Sequence, residues 1–103
     1  MHKDNKIYIE HIIAAIDKIL KFKSNISLKE FAKDEMMQDA IIRNIEIIGE
    51  ASKQLSSELK SKHQEIPWKE MAGMRDKLIH DYFGVDIEVI WKTISVDIPN
   101  LKL

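Results

Sequence analysis

Ile41-Ile42-Arg43-Asn44-Ile45-Glu46-Ile47-Ile48-Gly49-Glu50-Ala51-Ser52-Lys53-Gln54-Leu55 is the stretch whose reading decides how this chain folds. It lies in a run from about Glu35 to Lys62 that holds one glycine and no proline, so a long helix is predicted, capped by Asp34. At 3.6 residues per turn, Ile41, Ile42, Ile45, Ile47, Ile48, Ala51 and Leu55 spread over roughly 220° of the circumference. One neighbour covers less than that, so this central helix is expected to be buried on two sides, a partner subunit being one candidate for the second. The remaining face carries Arg43, Glu46, Glu50, Lys53 and Gln54, a mixed polar surface that is either solvated or rims a cleft. Asn44 falls in phase among the isoleucines, where an amide without hydrogen bonds costs on the order of a few kcal/mol. Two readings of Asn44 stay open: a buried amide that fixes register, and a polar wall of a site.

Working outward, the N-terminal side reads as one helix from about Asp4 to Lys23, with Ile9, Ile12, Ile13, Ile16, Ile19 and Leu20 at three- and four-residue steps. Ser24 and Asn25 break it, and Ser27-Leu28-Lys29-Glu30 has the pattern of a capping box opening a short helix to about Lys33. On the C-terminal side, Ile66-Pro67-Trp68 opens another helix, Pro67 standing where a missing amide is harmless. Gly73 within it permits a close backbone approach. Asp86 is expected to cap a last helix whose Ile87, Ile90, Trp91, Ile94 and Ile98 repeat on one face until Pro99. The prediction is an all-α, up-and-down helical bundle of four main helices plus a short one, residues 1–103 forming a single domain.

Composition agrees and narrows the function. The 103 residues are 45% apolar and 32% charged, with three Gly and two Pro, which suits compact helices and argues against disorder. Zero Cys excludes disulfide scaffolds, thiolate metal sites and cysteine nucleophiles. Glu10, His11, Asp17 and Lys18 interrupt the first twenty residues in a way that neither a signal peptide nor a membrane span would, so a cytoplasmic chain with no membrane partner is expected. His2, His11, and His63 with Glu65, lack the pairing that a metal site requires, and no glycine-rich phosphate loop appears; no metal and no cofactor are expected. The formal charge of −1 means that RNA binding, if any, must use a local basic cleft.

The chemistry-bearing stretch is Met71-Ala72-Gly73-Met74-Arg75-Asp76-Lys77-Leu78-Ile79-His80-Asp81-Tyr82. Trp68, Met71, Ala72, Leu78 and Ile79 form an apolar stripe, and Arg75 and Tyr82 fall inside it. A guanidinium there must meet a carboxylate, face a cleft or receive a ligand such as phosphate. Only two of the 16 basic residues, Arg43 and Arg75, are arginine, which singles the choice out. His80 lies about 140° around the helix from Arg75. The two converge only if the helix loosens near His80, which the turn-like Asp81-Tyr82-Phe83-Gly84 makes possible, or if a second copy supplies the missing half. Structural roles compete: an ion pair of Arg75 with Asp76, Glu46 or Glu50, a histidine on the last helical carbonyls, and a tyrosine ring packed in the core.

The pattern R-x4-H-x-Y at Arg75, His80 and Tyr82, together with Ile42-Arg43-Asn44-Ile45-Glu46-Ile47-Ile48-Gly49-Glu50-Ala51 upstream, resembles the HepT toxins of the HEPN superfamily, which are encoded beside MNT-type nucleotidyltransferase antitoxins. The resemblance implies a HEPN-like bundle and a toxin acting as a metal-independent endoribonuclease, with Arg75 and His80 catalytic in a composite site of a homodimer. It also implies RNA as substrate and an MNT-type nucleotidyltransferase as partner, which attaches AMP to Tyr82. Asn44 and Asp76 stand as further cleft-lining positions. The residue types suit that chemistry, because cleavage through the neighbouring 2′-hydroxyl asks the protein only to move protons and stabilise charge on phosphorus. The alternative is a non-catalytic helical subunit that partners a nucleotidyltransferase and holds a nucleotide or RNA without cleaving it.

Overall fold

The computed structural model describes residues 5–80 and 87–101, the side chains of residues 75–80 excepted. Every regular element among the described residues is helical. Helix α1 (Asn5–Ser24) buries Ile12, Ala15, Ile16 and Ile19, the stripe its periodicity predicts. The capping box forms: Ser27 Oγ accepts from the Glu30 amide at 3.2 Å, and the Ser27 amide donates to Glu30 Oε1 at 3.1 Å. It opens α2 (Leu28–Phe31), a single turn whose Phe31 is fully buried. Asp34 Oδ1 then accepts from the Met37 amide at 2.9 Å and starts α3 (Glu35–Gln54).

The expected helix from Glu35 to Lys62 is in fact two. Leu55 turns extended, with φ −68° and ψ 145°, and a separate α4 (Ser57–Lys62) follows. Ser56 causes the break. Its Oγ accepts from the Leu59 amide at 3.2 Å and so caps α4, while its own amide donates to Asn5 Oδ1 at 3.0 Å. A serine that finds such partners competes with the helical ladder, and the turn keeps Leu55 buried. The bundle therefore has one more short helix than the periodicity suggests.

Helix α5 (Trp68–His80) follows a loop, and the C-terminal stretch comprises α6 (Ile87–Lys92) and a π-helical turn over Thr93–Asp97. A uniform last helix to Pro99 was the expectation; instead the Ile98 amide reaches back five residues to the Thr93 carbonyl at 2.8 Å. Positions four apart drift about 40° per step on an α-helix. The wider turn offsets that drift and holds Ile90, Ile94 and Ile98 on one fully buried line. The cap assigned to Asp86 lies outside the described residues.

Helix α3 is the spine. It packs against α1 on one flank and α5 on the other, and the π turn closes back onto α1. Ile41, Ile45 and Ile48 of α3, Ile12 and Ile19 of α1, and Met71 of α5 are all fully buried. Helices of the same chain thus cover Ile41, Ile45 and Ile48, while Ile42 and Ile47 stay half-buried, Ile47 in the wall of a groove between α1 and α3. No helix among the described residues is long and apolar enough to cross a membrane.

Candidate functional site

The motif helix is anchored from its start. The Pro67 carbonyl accepts from the Met71 amide at 3.0 Å, and Trp68 Nε1 donates to the His63 carbonyl at 3.0 Å. Met71, buried against α3, fixes the rotation of α5. The helix continues through His80, so positions 75 and 80 belong to one regular element. They are separated by about 7.5 Å along its axis and about 140° around it. The described part of α5 shows no loosening before His80, and the turn at Asp81-Tyr82-Phe83-Gly84 on which that expectation rests lies outside the described residues. The side chains of Arg75, Asp76 and His80 lie outside the described residues, as does Tyr82 with the turn that holds it.

Gly73 does not serve a close contact among the described residues: a Cβ built there meets nothing within 4 Å. It borders a hollow of about 470 Å³ shared with Pro67, Glu70, Met74, Thr93, Asp97, Asn100 and Leu101.

Asn44 is buried at 8% exposure, and its Nδ2 donates to the Ala40 carbonyl at 2.8 Å. It lies in the wall of a groove of about 730 Å³ between α1 and α3. Arg43, Glu50, Lys53 and Gln54 line the same groove, so of the two readings of that polar face the structure selects the rim of a cleft. Arg43 Nη1 stands 3.7 Å from Glu46 Oε2 along the helix. The opposite wall comes from α1: Tyr8, His11, Ala14, Ala15 and Lys18. Sequence reasoning did not assign these. The signal lay in Tyr8, His11, Ala15 and Lys18 recurring at three- and four-residue steps beside the core stripe.

The fold and the sequence define a class: a small all-α bundle whose chain carries R-x4-H-x-Y, with positions 75 and 80 on a helix packed on a central spine. Residues 12–103 match the family model described as "Ribonuclease HepT-like". The chain belongs to that family. It is 53% identical over 102 residues to a protein of Thermococcus cleftensis named "Probable ribonuclease HepT", an alignment covering 99% of this chain and 93% of that one. It is also 47% identical over 100 residues to a protein of Caldanaerobacter subterraneus subsp. tengcongensis named "Putative RNase", covering 97% of this chain and 89% of the relative. No solved structure gives a significant match.

Proposed function

We propose that this chain is a toxin of a two-component pair, a metal-independent endoribonuclease that works as a homodimer. Membership of the ribonuclease HepT-like family across residues 12–103, a span that includes R-x4-H-x-Y, carries the reading. In the reaction, the 2′-oxygen of one ribose forms a bond to the adjacent phosphorus while the bond from phosphorus to the leaving 5′-oxygen breaks. One His80 takes the proton from the 2′-hydroxyl, and a second gives a proton to the 5′-oxygen. Arg75 places a planar, permanently charged fork on the phosphoryl oxygens, where negative charge grows. A regular α5 that separates positions 75 and 80 around its axis favours a site assembled from two copies, which supply two arginines and two histidines about one axis.

Control of the toxin is assigned to Tyr82. Its phenolic oxygen would attack the α-phosphorus of ATP on an MNT-type nucleotidyltransferase, releasing pyrophosphate and a proton and leaving AMP on the tyrosine. The added phosphate is an anion placed one heptad from Arg75, where it competes with the RNA backbone. The deciding experiment incubates purified protein with RNA in EDTA, beside His80→Ala prepared identically. Cleavage by the wild type alone is expected; intact RNA in both would favour the non-catalytic binding subunit.

A further inference from the structure

Helix α3 also borders α1, and the groove between the two is lined by Lys18, Arg43 and Lys53. Asn5 and Ser56 clasp the ends of α1 and α3 through two hydrogen bonds of 3.0 Å. The helices therefore run antiparallel. Counting inward along both from that clasp, Tyr8 stands level with Lys53, His11 with Glu50, and Lys18 with Arg43. All six line the groove of about 730 Å³. Its two ends are thus marked by Lys18 beside Arg43 and by Lys53 beside the Tyr8 ring, about 15 Å apart at 1.5 Å per residue. The wall between them is largely apolar, made by Ala14, Ala15, Ile47 and Ala51.

Lys18, Arg43 and Lys53 stand against Glu50 in the lining and Glu46, which pairs with Arg43 at 3.7 Å, so the groove keeps a surplus of one positive charge in a chain whose net charge is −1. Glu46 meets Arg43 from along the same helix, and a phosphate set between Arg43 and Lys18 would be attracted by both cations. The half-buried Tyr8 ring and the apolar wall offer a surface on which a base can stack. The volume suits one or two nucleotides rather than a duplex, by comparison with ligand sites of roughly 300–1,000 Å³.

We infer that the α1/α3 groove is a binding site for single-stranded RNA, separate within the protomer from the motif helix, which holds the strand while α5 cleaves it. The inference rests on the ribonuclease reading for its purpose but not for its test. His80→Ala protein, which leaves the strand intact, is titrated with a short fluorescent oligouridylate at several salt concentrations. Lys18→Gln, at an exposed position, should lower affinity and flatten the slope of log K against log salt by about one. Tyr8→Leu keeps an apolar side chain against the core and should weaken binding roughly five- to a hundredfold through lost stacking. Lys29→Gln removes the same charge from α2, outside the groove, and should do neither. Equal slopes for Lys18→Gln and Lys29→Gln, or unchanged affinity in Tyr8→Leu, would overturn the proposal. So would a halved mass of Lys18→Gln in light scattering, which would mark the groove as the seat of a second copy. Failure of the wild type to cleave in EDTA, with these binding differences intact, would strike the nuclease reading and leave the groove standing.

Discussion

Arg75 and Tyr82 stand seven residues apart in the sequence, and the two predictions at the residue scale follow from what each side chain can do that its nearest substitute cannot. Arg75→Lys keeps the charge but replaces a planar fork, able to meet two phosphoryl oxygens, with a point charge on a flexible stem. Losing one such donor set is worth on the order of a hundredfold or more in rate, so cleavage should fall by that much with the thermal midpoint unchanged. Near-normal cleavage would make Arg75 a structural ion-pairing residue. For Tyr82, intact-mass and peptide spectrometry after incubation with the cognate nucleotidyltransferase and ATP should find AMP on the phenol and cleavage lost in proportion. AMP on another residue, or full activity of the modified protein, would sink the switch. Asn44 shows how far one residue could be read beforehand. Its phase foretold burial, and the bond to Ala40, one turn back on the same helix, satisfies the amide without tying α3 to a neighbour. Which cleft its wall belongs to depended on how α1 aligns with α3, a tertiary fact that no periodicity contains.

At the scale of elements, local signals decided the outcome where two competed. The capping box at Ser27 and the cap at Asp34 were legible because side chain and backbone lie within one turn. The break at Leu55 was not, because Ser56 takes half of its partners from Asn5 at the far end of α1. Ser56→Ala should therefore cost about 1 kcal/mol, the usual worth of an N-cap, read as a lower urea midpoint. An unchanged midpoint would mean that burial of Leu55, and not the cap, turns the chain. The π turn was equally hidden, since the spacing of Ile90, Ile94 and Ile98 fits an α-helix until its drift is followed over two steps. Gly73 offers a cleaner test within α5. A methyl group there meets open space, so Gly73→Ala should stabilise the helix by about 0.5–1 kcal/mol through propensity alone. A loss of stability would show that another backbone approaches that position in the assembled protein.

For the molecule as a whole, the layered order of α1, α3 and α5 sets what one protomer can and cannot assemble. Ile41, Ile45 and Ile48 of α3 are covered within the chain while Ile42 and Ile47 stay half-buried, and the geometry of α5 is the stronger argument for a dimer. A regular helix from Trp68 to His80 keeps positions 75 and 80 about 140° apart, and a second α5 across a two-fold axis is the simplest way to complete the set. Light scattering should then report twice the 12.0 kDa mass of the chain. The sharper test uses the division of labour between the two histidines. If one His80 is base and its mate is acid, a mixed dimer of wild type with His80→Ala has lost one of the two and should be nearly inactive. When equal amounts of the two chains are allowed to exchange freely, about a quarter of the dimers are purely wild type, so about a quarter of the wild-type activity should remain. Independent sites in each protomer would instead leave about half. Titrating the mutant fraction separates the two laws along a whole curve, the composite site following the square of the wild-type fraction and the independent site following the fraction itself. A linear curve from a protein that is dimeric by mass would place Arg75 and His80 in one protomer's own site and return the search for their convergence to the segment after α5.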